Sequence, residues 1–464
     1  MKPELISAIR DIVGEEWLLS DRDPILDYLI DETTPAVLPT PADDVIVVKP
    51  SSTQEISNLL KFANENGIPV FPRGGGTGLV AGSVPTSNGI ILSLERMNRV
   101  IEVDQDNLMM TAEAGVTLLS LKKAAAEAGL SFPLHPGDES AQLGGMVACG
   151  AGGASAVKHG VISDYVKGME VVLPIGEVLT LKGKLLKDVA GYDLMHLLIG
   201  SQGTLGIITK VTLRLHPELK ETITLVIPYN DRYQTLQTVP EILQEGIVPL
   251  AIEFVERNLM EKSARKLGKS WSVKAGKYYL IIVLAGRDRN ILLAEAEGIH
   301  KIAQKHNAID TLIVQNKRKQ DDILNIRGKI YFALKPITMD ITDIAVAPSK
   351  IAEFLSELDK LAAKYGMYMP VFGHAGDGNL HTHILTAEAG GLERANLEKV
   401  KKEIYDAAIQ LGGTITAEHG IGKIRRKEFK RYTDKKLLGI MKAVKDAFDP
   451  NNILNPGTVL PDEL

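Results

Sequence analysis

Along the first third of the chain the apolar positions fall in short runs joined by stretches of helical period. Asp44-Val45-Ile46-Val47-Val48 predicts a strand. From Thr53 to Asn66 apolar residues recur at 56, 59, 60 and 63, which predicts a helix with Thr53 as its N-cap and Gly67 as its stop. Ile68-Pro69-Val70-Phe71 predicts the next strand, 118–128 a helix, and 166–173 with 178–181 a hairpin turning at Pro174-Ile175-Gly176. Residues 1–40 predict a helix and then a Pro-rich stretch laid over the surface. From Glu221 the pattern becomes strands near 222–228, 249–256, 278–285, 310–315, 340–346 and 367–373 with helices between, one of them at 318–334. That spacing predicts an α+β unit on an antiparallel sheet. Near the C-terminus, Met367–Phe372 is a strand-type run, 373–378 a turn and 380–385 a second strand; further helices are predicted near 391–410.

A length of 464 residues suggests about three domain-sized units. The expected division is 1–219, 220–413 and 414–464. Fifty-three basic against 58 acidic residues leave a net charge of −5 with no basic block, so nothing points to nucleic acid. The first residues carry acids at 4, 11, 15 and 16 and no apolar core of a leader, and no stretch reaches eighteen uncharged apolar residues. The expectation is a cytoplasmic protein, with peripheral membrane contact through a partner left open. Cys149 is the sole cysteine. That excludes an intramolecular disulfide and an iron–sulfur cluster ligated by this chain alone, so electron handling would need an organic cofactor and an outside acceptor.

Three glycine-rich stretches stand out. Arg73-Gly74-Gly75-Gly76-Thr77-Gly78-Leu79 follows a predicted strand, and its missing β-carbons let consecutive N–H groups converge on an anion such as a pyrophosphate. It is no Walker loop, because no Gly-Lys-Ser/Thr ends it. The second stretch spans 135–153 and the third runs from 187–193 into 200–209. Three such stretches joining strands suit a long extended ligand, although tight turns alone use the same residues.

Four of the ten histidines fall between 374 and 419. His374 closes one predicted strand and His381 opens the next, so a hairpin can aim both imidazoles at one ion. His383 lies two residues on, along the same face. Two imidazoles and the Glu418 carboxylate with an open position form the ligand set of a catalytic divalent site, with Zn, Fe or Mn as the ion. Ordinary strand-end histidines bonded to backbone are the plainer alternative. Gly422-Lys423-Ile424-Arg425-Arg426-Lys427 reads as a solvated basic face or a partner contact.

The strings P-R-G-G-G-T-G-L (72–79), H-P-G-D (135–138), G-S-Q-G-T-L-G-I-I-T (200–209), G-H-A-G-D-G-N-L-H (373–381), A-E-H-G-I-G (417–422) and D-P-N-N-I-L-N-P-G (449–457) carry a resemblance over nearly the whole chain, in order. The chain resembles the FAD-linked D-2-hydroxyacid dehydrogenases, the D-lactate dehydrogenase and glycolate oxidase subunit group within the vanillyl-alcohol oxidase superfamily. The resemblance implies an α+β protein: a two-subdomain FAD-binding domain, an antiparallel-sheet cap and a C-terminal helical return to the flavin. It implies non-covalent FAD, since Thr77 stands where covalent relatives often have histidine. Gly74, Gly75, Gly76, Thr77 and Gly78, between Arg73 and Leu79, would hold the pyrophosphate. Pro136, Gly137, Asp138, Gly144, Gly145, Gly152 and Ile207 or Ile208 would lie along the cofactor, with Asn455 near its ring.

By the same resemblance Arg327 would clamp a substrate carboxylate, with Tyr331, Lys335 and Asp343 as further candidates and His419 as general base. His383 replaces an asparagine of some hydroxyglutarate-oxidising relatives, which argues against that substrate. The implied reaction is oxidation of a D-2-hydroxy acid, D-lactate to pyruvate first, by hydride transfer from C2 to flavin N5. Electrons would pass to an electron-transferring flavoprotein, an iron–sulfur subunit or a quinone-linked complex. Alternatives are a glycolate oxidase catalytic subunit, a non-catalytic FAD electron-transfer subunit, a metal-dependent hydrolase and an oxygen-reducing flavin oxidase.

Overall fold

The computed structural model of the chain describes residues 2–463. These form two compact units. One takes the residues up to Ala151, Val161–Glu218 and everything from Glu418 on; the other takes Gly152–Gly160 and Leu219–Ala417.

In the first unit a four-stranded sheet runs in the order Leu18–Leu19, Val45–Val48, Gly89–Ser93, Val70–Arg73. The last three are parallel, and Val45–Val48 and Gly89–Ser93 are buried along their whole length, as strands covered on both faces must be. The helix Thr53–Glu65 buries Ile56, Leu59, Leu60 and Ala63, the stripe its period predicts. Its N-cap, however, is Ser52, whose hydroxyl accepts from Glu55 N at 3.2 Å. Ser52 has the extended backbone that a cap requires, while Thr53 is already helical and sends its hydroxyl to Glu170 Oε1 at 2.6 Å. The helix Pro3–Val13 is also more than a covering layer, for Ile9 and Val13 enter the main core. A second, antiparallel sheet runs in the order Val100–Asp104, Met109–Glu113, Ile207–Arg214, Val166–Val172, Val178–Lys182.

The second unit is built on seven antiparallel strands in the order Leu312–Val314, Glu221–Tyr229, Tyr278–Gly286, Ala251–Glu256, Val371–His374, Asn379–Leu385, Thr338–Ala345. The histidine hairpin therefore lies inside the sheet, flanked by Ala251–Glu256 and Thr338–Ala345. Its first strand starts four residues later than expected. Pro370, with no N–H to give to a ladder, stands just before it. The single helix expected over 318–334 is two, Lys317–Gly328 and Ile330–Leu334, broken at Lys329. Gly328 weakens the helix there, and the break lets Ile326, Ile330 and Leu334 all reach one core with Phe372 and Val255. Among the described residues no helix is long and apolar enough to cross a membrane.

Candidate active site

In the first unit the three glycine stretches converge. A β-carbon on Gly74 would stand 3.5 Å from Gly145 Cα, and one on Gly75 only 2.7 Å from Ser140 O. Gly150 meets Gly200 in the same way at 3.6 Å, and Gly203 is pressed against Pro72 at 2.4 Å. Gly76 has φ +70° and covers the Arg73 guanidinium so closely that an added methyl would overlap it. Among the described residues, the N–H groups of Gly75, Gly76, Thr77 and Gly78 donate to no other group of the chain. Gly75 and Gly78 are exposed. A row of outward, unspent N–H donors with no side chains in the way fits the pyrophosphate of a dinucleotide.

Several expected cofactor residues have other work in this cradle. Arg73 donates to Asp27 O at 2.8 Å and Ile30 O at 2.7 Å, bolting down the N-terminal segment. Asp138 accepts from Ser140 N and Oγ at 2.8 and 2.7 Å and so shapes the loop that Pro136 and Gly137 enter. Ile207 and Ile208 are buried in the antiparallel sheet opposite Val172 and Val171. Gly152 opens the short segment that belongs to the second unit. Thr77 and Leu79 are half-buried at the loop itself. Asp31, which no sequence string marked, is 7% exposed, and burial raises its carboxyl above the usual range; Oδ2 is 3.5 Å from where a Gly78 β-carbon would be.

The C-terminal return is knitted into the same unit. Asn455 N donates to Val70 O at 2.8 Å, and its side-chain amide donates to Gly82 O and Gln202 O at 2.9 and 2.8 Å. Its Oδ1 accepts from Lys423 Nζ at 2.9 Å. The basic run is thus no solvated face: Lys423 is turned inward, with burial bringing its ammonium down to about 7, and Arg425 is 1% exposed. Of its cations only Lys427 is exposed. The inward turn follows from Gly422, which is packed so tightly on Val80 that the chain there cannot stand off the surface. Glu418 and His419 begin this segment, half-buried, with His419 Nε2 3.6 Å from Glu418 Oε1.

The second unit gathers the other candidates. His374 and His381 lie with ring centroids 5.5 Å apart. Phe372, directly opposite His381 in the hairpin, is the ring on which the cluster is assembled. The Arg327 guanidinium lies 4.8 Å over it, and His383 stacks against it at 5.1 Å. His383 is 6.3 Å from the Tyr331 ring, which carries Lys335 Nζ at 6.0 Å on its face. His383 Nδ1 is also 3.1 Å from Thr338 Oγ1. Two carboxylates organise this group. Glu253, 2% exposed, reaches His374 Nδ1 at 2.6 Å and Arg327 Nη2 at 2.5 Å. Asp343, fully buried, accepts from Asn379 Nδ2, Thr416 Oγ1 and Ala417 N at 2.8, 2.8 and 2.9 Å, and lies 3.6 Å from His381 Nδ1. Ala417 is the last residue before Glu418, so the chain enters Glu418-His419 from this carboxylate.

Residues 218–459 match the family described as FAD linked oxidases, C-terminal domain, and residues 45–182 match an FAD binding domain. The chain belongs to the FAD-linked oxidase family. It is 43% identical to a D-lactate dehydrogenase of Archaeoglobus fulgidus, over 93% of this chain and 95% of that one. It is 37% identical to glycolate oxidase subunit GlcD of Bacillus subtilis, over 89% and 88%. Among solved structures, 4-ethylphenol oxidase from Gulosibacter chungangensis superposes with a TM-score of 0.78 at 20% identity, covering 99% of this chain and 97% of that one. That likeness establishes the fold, which is of vanillyl-alcohol oxidase type. This FAD-linked oxidase is an FAD-dependent oxidoreductase, and the glycine cradle lies largely within the span matched to the FAD binding domain.

The FAD-linked oxidase keeps two functional-looking groups that no motif string announced. Glu253 belongs to the apolar strand Ala251–Glu256, where the signal available was a carboxylate inside a run buried on every residue. Phe372 stood at the edge of a histidine string and looked like ordinary strand filling.

Proposed function

We propose that this FAD-linked oxidase oxidises a D-2-hydroxy acid, with D-lactate the first candidate and glycolate the second, and passes the electrons to a protein acceptor. What supports the reading is Arg327. Arg327 is 9% exposed, its guanidinium carbon 4.8 Å from the centre of the Phe372 ring, with Nη2 on Glu253 and Nε buried with no hydrogen-bond partner. A buried cation with an unspent donor is a seat for an anion, and a planar fork suits a carboxylate.

In this reading Arg327 holds the substrate carboxylate, while His383 and Tyr331, packed along the same apolar shelf, bound the small substituent at C2 and Lys335 lies at its outer end. His374, His381 and Glu418 would hold a Zn, Fe or Mn ion, to which His374, with its Nδ1 engaged by Glu253, would offer Nε2. His419 takes the proton of the 2-hydroxyl, since a neutral imidazole is the base suited to neutral pH. Bound FAD supplies the hydride acceptor, and a bound divalent ion supplies a Lewis acid that lowers the hydroxyl pKa. The protein's own part is orientation and proton removal.

The test is an anaerobic titration of the FAD-loaded protein with D-lactate, L-lactate, glycolate and D-2-hydroxyglutarate, before and after chelation. Bleaching of the flavin band by D-lactate, lost after chelation, is the expected result. Retained bleaching after chelation removes the metal from the reading. No bleaching by any of the four acids overturns the reading and leaves the chain an electron-transfer subunit.

A further inference from the structure

Glu253 lies on a strand neighbouring the histidine hairpin, paired in register with His374, and sends one carboxylate oxygen to each of two functional side chains. Oε1 is 2.6 Å from His374 Nδ1 and Oε2 is 2.5 Å from Arg327 Nη2. We infer that Glu253 is a positioning residue that sets His374 for metal ligation and Arg327 for carboxylate binding at once. The inference rests on the proposed metal-assisted oxidation of a hydroxy acid and adds to it a residue that fixes both ends of the site.

The chemistry runs through tautomers and lone pairs. A carboxylate can only accept, so at 2.6 Å the proton of a neutral His374 sits on Nδ1 and the lone pair is left on Nε2, the nitrogen available to an ion. In water imidazole has no such fixed choice. The second oxygen holds the guanidinium at one edge, leaving its Nε edge for the substrate. Arg327 has few other restraints among the described residues, chiefly the face of Phe372. Because Glu253 is 2% exposed, both bonds form away from water, where an accepting carboxylate is strongest and a lost partner is costliest.

A carboxylate accepts from both partners simultaneously, whereas an amide of the same shape has one oxygen and must present N–H to the other. Glu253→Gln therefore keeps the volume and breaks one arm, and Glu253→Ala breaks both. Two measurements read the arms. Zn2+ titration of the metal-stripped, FAD-loaded protein reads the His374 arm; KM against kcat for the acid that bleaches the flavin reads the Arg327 arm. For Glu253→Ala we expect Zn2+ affinity to fall about 10- to 100-fold, as for loss of a carboxylate behind a ligating histidine, and KM to rise roughly tenfold or more, as for loss of a charged hydrogen bond. Glu253→Gln should show one of these losses with FAD content close to wild type and a thermal midpoint lowered less than in Glu253→Ala.

In histidine-labelled, metal-stripped protein, nitrogen NMR should find His374 as the Nδ1–H tautomer in wild type and shifted towards Nε2–H in Glu253→Ala. A Glu253→Gln protein with both Zn2+ affinity and KM unchanged overturns the inference, as does an unaltered His374 tautomer in Glu253→Ala. Wild-type protein that takes up no Zn2+ instead sinks the metal reading beneath it, and the tautomer experiment still decides whether Glu253 sets the imidazole.

Discussion

At Gly75, in an exposed loop, one added methyl would stand 2.7 Å from Ser140 O, while at Glu253 a buried strand position is filled by a carboxylate holding two partners. The cradle of the first unit works by what its residues lack: stripped backbone, free N–H groups and close glycine-to-glycine approach. The hairpin cluster of the second works by what its residues carry, on a seven-stranded sheet that fixes each side chain by register. A backbone site of this kind tolerates no added bulk. A side-chain site tolerates isosteric change poorly, because tautomer and lone-pair direction are its content.

That contrast can be broken from either side. The largest effect is expected at His419: His419→Ala should lower the rate of flavin bleaching by about 10²- to 10⁴-fold, the range for removal of a general base, with FAD content retained. Loss of FAD with the rate would make His419 part of the cradle instead. Next comes Gly76→Val, where a β-branched residue must adopt φ +70° and collide with Arg73. It should lose bound FAD, and about 1–3 kcal/mol of stability from the strained backbone, in a thermal melt and an absorbance ratio read together.

Asp343→Asn should cost about 1–3 kcal/mol, since an amide cannot accept from all three donors around Asp343. Turnover should fall more than FAD content does, because Ala417 leads straight into Glu418. The smallest effect is a pH dependence at Lys423. Burial lowers its pKa to about 7, so between there and the ordinary lysine value the unfolded chain binds a proton that the folded one has released. Stability must then rise with pH across that window, and the cost of the buried charge is borne in full below pH 7. Urea midpoints of wild type minus Lys423→Met should grow between pH 7 and 9.5; a flat difference would place the ammonium in water.

The two regions were also unequally legible. The cradle could be read from the sequence because its chemistry is written in consecutive residues: four glycines in five positions need no partner to be recognised. Strand type, the antiparallel sheet and the stripe of the helix Thr53–Glu65 followed from period alone. The hairpin was half legible. His374, His381 and His383 lie within ten residues, but Glu253 joins His374 across 121 positions, and only the strand order brings it there. Ser52 and Thr53 were indistinguishable as caps until the backbone chose between them. Lys423 misled because a basic run normally faces water, and nothing local reports that Val80 lies against Gly422. The break at Lys329 was hidden by an apolar period that continues across it.

Asn455 lies 373 residues beyond Gly82, whose carbonyl it holds. During synthesis the second unit, nearly all in one stretch from Leu219 to Ala417, is complete before the strip that finishes the first unit has left the ribosome. At about 5–20 residues per second the early strands around Val70 and Gly82 wait roughly twenty seconds to over a minute for that strip. Until then the edge at Val70 and the carbonyl of Gln202 stay without these partners. Chaperone occupancy should therefore fall only after Asn455 emerges, and FAD retention should not appear before it.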